Sequence, residues 1–322
     1  MISFVIPCYR SAQTILPVLD EIEQVMGEVE GFSLEVVTVI DGSPDNVFEV
    51  LCEASKERPY LKVVNLSKNF GQINAQMAGF REASGDIVVA IDDDGQCPLD
   101  RLWDLLQPIL DGEADFTAAL YDQKKQSAFK NFGSRMNQAM ARSLVGMPKD
   151  FEISNFYAFT KLVNTELATY PNPHPYFLGS IFHVTSRAVN VPMEERERMA
   201  GSSTYTFKKL ISNWLSGFIS YSIKPLRVAD LIGVLCAVFG FLYGTYTIIA
   251  KLTMDIAAGY ASLIASILFI GGIIMILLGL IGEYVGRIML VLNKTPQYIV
   301  RQVVRDGKEM ELNRQNRRGP EA

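Results

Sequence analysis

The stretch "VVAIDDDGQCPLD", Val88–Asp100, runs from an apolar strand into three consecutive aspartates, a glycine and a glutamine. Like charges a few ångströms apart repel, so Asp92, Asp93 and Asp94 are stable together only on a solvated turn or around a cation. Upstream, strand-like and helix-like segments alternate: "ISFVIP", "TILPVLDEIEQVM", "LEVVTVID", "NVFEVLCEASKE", "LKVVNLS", "GQINAQMAGFREA" and "GDIVVAID". This alternation predicts an open, mainly parallel α/β sheet, in which ligands bind beyond the carboxyl ends of the strands. Four strand ends then meet at one edge: Pro7-Cys8-Tyr9, Asp41-Gly42-Ser43, Ser67-Lys68-Asn69 and the Asp92 run. Carboxylates beside a carboxamide are hard oxygen ligands, so Asp92, Asp94 and Gln96 suit Mg²⁺ or Mn²⁺, ions that bridge to phosphate oxygens. A strand that merely ends in a polar turn is the plain alternative.

Composition separates the rest of the chain from this domain. The 322 residues are 49% hydrophobic and 20% charged, and a mean hydropathy of +0.16 is high for a soluble enzyme. Two uncharged runs account for it, Leu231–Ala250 and Ile256–Gly282, each long enough for a helix to cross a hydrocarbon core, which takes roughly 20 residues. Only Lys251 to Asp255 separates them, which predicts a tight two-helix transmembrane hairpin. Lys208, Lys209, Lys224 and Arg227 precede the first run and Arg287, Lys294, Arg301 and Arg305 follow the second, so both ends are expected in the cytoplasm. "YTFKKLISNWLSGFISYSIKPLRV", Tyr205–Val228, mixes apolar and basic residues at helical spacing and reads as an amphipathic helix in the headgroup layer, broken by Pro225. The start carries no basic flank and too short an apolar run for a signal peptide, and the end, "RDGKEMELNRQNRRGPEA", reads as a mobile tail. The expected divisions are therefore 1–202, the catalytic α/β domain; 203–228, the interfacial helix; 229–283, the two spans; and 284–322, the tail. Net charge is −5 and no basic block occupies the first half, which argues against nucleic acid as a partner. Cys8, Cys52, Cys97 and Cys236 have no ligand-like spacing and read as unpaired thiols.

The ordered set "VIPCYRS", "VIDGSPDN", "LSKNFGQINAQMAGF" and "GDIVVAIDDDGQCP" resembles the family 2 glycosyltransferases of GT-A (Rossmann-like) fold. With the amphipathic stretch, the two spans and "GEYVGRIMLVLNKTPQYIV", it resembles their polyisoprenyl-phosphate branch, which includes dolichol-phosphate mannose synthase, bactoprenol glucosyltransferase and undecaprenyl-phosphate formamido-arabinose transferase. The resemblance implies inverting transfer of a sugar from a nucleotide sugar, UDP rather than GDP by likeness to bacterial members, to a polyprenyl phosphate such as undecaprenyl phosphate. It implies an integral protein of the bacterial inner membrane, with the catalytic domain cytoplasmic; homo-oligomerisation stays open. Residue by residue, it implies that Pro7, Tyr9 and Asp41 face the base and ribose, with Lys68 and Asp93 beside the nucleotide. Asp92, Asp94 and Gln96 match a DxD-x-Q pattern that binds metal and diphosphate, and Asp94 is the foremost catalytic candidate. Arg198, also a catalytic candidate, and Ser203 in "RMAGSSTY" are implied contacts of the acceptor phosphate. Tyr157 stands where the family usually has Arg and Thr204 where Lys is frequent; Lys124, Lys130, Arg135, Lys208 and Lys209 are the substitutes for that lost positive charge. Two other functions are weighed: a catalytically silent nucleotide-binding membrane scaffold, and a processive polysaccharide synthase. The second normally carries a QxxRW signature, and neither Trp103 nor Trp214 follows Gln-x-x-Arg.

Overall fold

The computed structural model describes residues 1–121, 147–148, 151–170, 172, 175, 177–194, 196, 224–253 and 260–311. Two compact units emerge, one of Met1–Ile211 with Lys294–Ala322 and one of Ser212–Asn293.

The first unit is built on a nine-stranded sheet. Its strands are β1 (Ile2–Cys8), β2 (Leu34–Ile40), β3 (Leu61–Leu66), β4 (Ile87–Ala90), β5 (Phe116–Tyr121), β6 (Tyr157–Thr160), β7 (Ala188–Met193), β8 (Val300–Arg305) and β9 (Lys308–Met310). The order across the sheet is β7-β5-β6-β4-β1-β2-β3-β8-β9. β4, β1, β2 and β3 run parallel, as the alternating pattern implies. The flanks are mixed: β6 lies antiparallel between β4 and β5, β7 is parallel to β5, and β8 and β9 are antiparallel.

All seven residues of β1 are buried, as expected of a central strand covered on both faces. Alternation sorts its side chains, Ile2, Phe4 and Ile6 to one core and Val5 to the other. The first core is closed by α1 (Ile15–Gly27), α2 (Val47–Ala54) and α4 (Leu102–Leu110). α1 buries Ile15, Val18, Leu19, Ile22, Val25 and Met26, the spacing of one helical face. The second core is closed by α3 (Gln72–Glu82), α5 (Lys161–Thr169) and α6 (Phe177–Val184). Gly79 lets α3 approach the sheet, because a Cβ there would stand 2.3 Å from Val5 Cγ1.

Chain direction locates the opening. From β1 the chain steps outward through β2 and β3, then crosses back to place β4 on the other side of β1. Such a reversal leaves a crevice outside the carboxyl ends of the two strands flanking it, here β1 and β4.

Two expectations are corrected in this unit. Residues 300–310 form no tail, because β8 pairs with β3 and β9 with β8. The register shift at Asn65/Leu66 breaks the alternation that would have announced β8. Yet "RDGK" carries the hairpin signal, Asp306 and Gly307 both having positive φ, 53° and 69°, as a two-residue primed turn requires. The boundary at 284 is likewise displaced.

The second unit contains α7 (Lys224–Thr253) and α8 (Tyr260–Leu292). α7 includes Pro225 in its first turn, where a missing N–H is tolerated. Residues 224–228 belong to α7, and residues 203–223 of the expected interfacial helix lie outside the described residues. Among the described residues one helix is long and apolar enough to cross a membrane, α8 through Phe269–Leu292, with mean hydropathy 2.0. This run extends past Gly282 because Glu283 and Arg287 neutralise one another one turn apart, at 2.9 Å. α7 holds a shorter apolar stretch, Gly233–Tyr246. Phe239, Phe241, Met275 and Ile276 are each at least 70% exposed within the chain.

Candidate functional site

The crevice at β1 and β4 is framed by loops that aspartates hold in place. After β1 the chain turns sharply at Arg10, a non-glycine residue with φ of 59°. Arg10 N–H donates to Ser43 Oγ at 2.8 Å, Ala12 N–H to Asp45 at 3.0 Å, and Tyr9 N–H to Asp93 Oδ2 at 3.0 Å. The β1 loop is thus tied to the loops after β2 and β4. The Tyr9 ring is 46% exposed, with the Arg10 guanidinium 5.5 Å from its centre.

Asp41 does the same for the loop after β3. It is 4% exposed, and its two carboxylate oxygens accept the N–H groups of Phe70 (2.6 Å) and Gly71 (2.8 Å). Burial pushes its carboxyl above the ordinary range, and these two donors pull the other way. Gly42 has φ of 58° and lies so close to this loop that a Cβ would come 2.4 Å from Asn69 N, so no side chain fits. Asp93 is also raised, chiefly by burial, against the pull of Tyr9 N–H.

Asp92 is held differently. Gln72 Nε2 donates to Oδ1 at 2.7 Å and Asn155 Nδ2 to Oδ2 at 3.0 Å. Asn155 in turn accepts the Tyr121 hydroxyl at 3.1 Å, which fixes which end of its amide faces Asp92. Asp94 Oδ1 accepts Gln96 N–H at 3.1 Å across Gly95, whose φ is 74°. Gln96 Nε2 donates to the Arg196 carbonyl at 3.3 Å.

The structure therefore brings Tyr9, Asp41, Asp92, Asp93, Asp94 and Gln96 to one edge, with Lys68 exposed there and its Nζ 5.2 Å from the Phe70 ring centre. Pro7 is buried inside β1, opposite Val39, and does not line the opening. Asp41 is buried and, like the half-buried Asp93, accepts backbone N–H groups of neighbouring loops. Tyr157 is 3% exposed and packs between Phe116, Phe159 and Phe177. Burial, and then the charge of Asp92, keeps its hydroxyl protonated well above the ordinary range. The departure from Arg at this position is core packing. Gln72, Asn155 and Arg196 were not singled out in the sequence; Gln72 sits inside the quoted "GQINAQMAGF" and Asn155 two residues before Tyr157, and only their contact with Asp92 reveals the first two. Arg198, Ser203, Lys124, Lys130, Arg135, Lys208 and Lys209 lie outside the described residues. No group of three or more His, Cys, Asp and Glu side chains among the described residues is placed to hold a metal ion. None of the four cysteines is in a disulfide, and burial raises the Cys8 thiol well above its usual value, which leaves it a poor nucleophile.

A parallel α/β core with an acidic loop at its topological switch defines a GT-A transferase domain. Residues 3–174 match Glycosyl transferase family 2, and the chain belongs to that family. Residues 224–288 match the GtrB C-terminal hairpin. An uncharacterized glycosyltransferase of Bacillus subtilis (strain 168), YkcC, is 30% identical over 93% of this chain and 93% of its own length. The SfII prophage-derived bactoprenol glucosyl transferase of Shigella flexneri is 29% identical over 94% of this chain and 97% of its own. Among solved structures, glucosyl-3-phosphoglycerate synthase from Mycobacterium tuberculosis, in complex with Mn²⁺, uridine diphosphate and phosphoglyceric acid, superposes with a TM-score of 0.51. It shares 19% identity over 68% of this chain and 76% of its own, a likeness of fold.

Proposed function

We propose that this glycosyltransferase moves a sugar, with inversion, from a nucleotide sugar to a polyprenyl phosphate at the cytoplasmic face of the bacterial inner membrane. UDP-sugar and undecaprenyl phosphate are the proposed donor and acceptor. The observation that carries this reading is the Asp92–Asp94 loop standing at the β1/β4 switch point. The near full-length likeness to a bactoprenol glucosyl transferase supports the lipid acceptor. The matched hairpin and its exposed apolar side chains, which would be costly in water, support an anchor in lipid.

The donor set fits a divalent cation of the Mg²⁺ or Mn²⁺ class. Such ions are held by one or two carboxylates and complete their shell with water and substrate phosphate, so a closed protein cage is not required. Asp94 and Asp92, with Gln96, would hold the ion, whose contribution when bound is to neutralise charge on the departing diphosphate. The chain's own residues do the rest. Gln72 and Asn155 keep Asp92 aimed, each amide donating to one of its oxygens. Tyr9 offers an aromatic surface for a base, and Lys68 a mobile cation for phosphate. The acceptor phosphate oxygen is already anionic at neutral pH, so no general base is needed and positioning becomes the main task. Arg198 and Ser203 are the proposed acceptor-phosphate contacts, with Lys124, Lys130, Arg135, Lys208 and Lys209 next.

The test is transfer by membranes containing the protein, using a panel of UDP- and GDP-sugars with undecaprenyl phosphate. A single sugar on the lipid is expected; nucleotide binding without turnover, or a lengthening polymer, would overturn the reading. Cysteines introduced beside Asp255 should label from outside the cell and those beside Asp306 only after permeabilisation.

A further inference from the structure

Arg196 follows β7 and is joined to three separate parts of the sheet domain. Its backbone N–H donates to the Gln96 carbonyl at 3.2 Å, and the Gln96 side-chain amide donates back to the Arg196 carbonyl at 3.3 Å. Its guanidinium donates to Glu21 Oε1 on α1 at 2.6 Å and to Asp100 beyond the acidic run. The turn thus gripped lies outside the sheet. It lies past the last paired residue of β4, Ala90, bends through Gly95 in a left-handed conformation, and carries Asp94 and Gln96. Turns of this kind open locally at low cost unless another element fixes them.

We infer that Arg196 is a positioning residue, which fastens Gln96 so that the Asp94-Gly95-Gln96 turn presents its oxygens in one geometry to a divalent ion and a diphosphate. The inference rests on the proposed reaction. Arg196 is not itself a phosphate contact, since its guanidinium already spans two carboxylates. Those carboxylates set the direction of the side chain, and the side chain sets the backbone that meets Gln96. The ion pairs are partly exposed, so each alone is weak. Their effect comes from joining pieces that no strand pairing connects.

The experiment uses the full chain in detergent. Hydrogen–deuterium exchange of the metal-free protein should show faster exchange at residues 94–97 in Arg196→Ala, with the β1–β4 core unchanged. Titration with Mn²⁺ in the presence of UDP, followed by electron paramagnetic resonance, should show half-saturation at about three- to tenfold higher Mn²⁺. Arg196→Lys, keeping the charge without the fork, should recover part of both effects, and Glu21→Gln should produce a smaller version of them. A residue that merely adds stability would lower the unfolding temperature and leave Mn²⁺ half-saturation where it was. A folded Arg196→Ala protein with wild-type exchange at 94–97 and wild-type Mn²⁺ binding would overturn the inference. Absence of UDP-dependent Mn²⁺ binding in the wild type would overturn the proposed reaction instead.

Discussion

The mouth of the crevice has an inner and an outer row of aspartates, alike in residue type and held in different ways. In the inner row, Asp41, Asp45 and Asp93 accept backbone N–H groups from neighbouring loops. In the outer row, Asp92 is steadied by two side-chain amides and Asp94 by its own turn. Backbone donors of another loop cannot swing away, so an acid that ties two loops together is committed to shape, whereas Asp94 accepts an N–H of its own turn. Side-chain amides can yield when a ligand arrives. The difference teaches that a carboxylate's neighbours, more than its place in an acidic run, decide whether it builds the site or serves it.

The sharpest way to break this distinction is Asp94→Asn. With the outer row serving the ligand, the change should lower transfer about 10²- to 10³-fold, the scale on which one preorganised electrostatic partner acts. Unfolding stability should move by less than about 1 kcal/mol, as for a substitution that leaves no buried group unpaired. Near-normal turnover at limiting metal would remove Asp94 from the site.

For the inner row the weights reverse. Asp41→Ala strands two part-buried N–H donors, those of Phe70 and Gly71, at a cost of about 1–3 kcal/mol in denaturant unfolding. The pH dependence has a definite sign. Burial raises the Asp41 carboxyl above its ordinary 3.8, so the folded protein binds the proton more tightly than the unfolded chain. The stability Asp41 contributes is therefore greatest at acid pH and declines as pH rises through the window above 3.8. Unfolding curves of wild type and Asp41→Ala should lie farthest apart at the acid end; a gap that widens toward neutrality would contradict the burial argument.

How much of this was legible follows from the kind of signal involved. The β1-β2-β3-β4 core and its helices were readable because strands covered on both faces read as short continuous apolar runs and one-faced helices carry a period of 3.6. The acidic edge was readable because strand ends of a parallel sheet share one side. β8 was not, since its partner β3 lies more than 230 residues earlier and a bulge interrupts its alternation, although the Asp306-Gly307 turn was available. The division of the aspartates was out of reach for a different reason. It depends on which N–H group stands opposite each carboxylate, and that is set by loops meeting in space. Asn155 shows the same limit, a polar residue before β6 whose role exists only because Tyr121 and Asp92 flank it. Tyr157, two residues on, looked like a change in the site and proved to be part of an aromatic core.

A milder probe of the outer row is Gln72→Ala. Gln72 is exposed and Asn155 continues to hold the other oxygen of Asp92, so the fold should be unaffected. Losing one neutral donor to a carboxylate corresponds to about 1–1.5 kcal/mol, hence roughly a tenfold loss in kcat/KM for the nucleotide sugar. Asn155→Ala should cost a similar amount, and the double variant more than either, because Asp92 would then keep neither amide. Additive losses equal to those at an unrelated surface pair would show that the two amides do not share Asp92.

The smallest effect is expected where the two rows touch, at Asp93. Its neighbours in sequence are the proposed holders of the metal, yet its carboxylate accepts Tyr9 N–H, and burial, with the nearby Asp94, disfavours it as an ion. Asp93→Ala removes both a favourable bond and an unfavourable charge, so the two changes offset one another and net stability should shift by about 1 kcal/mol or less. The consequence for function is positional. Tyr9 loses the bond that ties the β1 loop to the β4 loop, while Arg10 and Ala12 keep theirs to Ser43 and Asp45, so the exposed Tyr9 ring becomes less fixed. KM for the nucleotide sugar should rise a few-fold with kcat nearly unchanged, the pattern of lost ground-state binding. Asp93→Asn, which retains an acceptor for Tyr9 N–H and sheds the charge, should restore KM. If Asp93→Asn instead matched the loss seen for Asp94→Asn, the third carboxylate would belong to the outer row, and the bond to Tyr9 N–H would not be what separates the two.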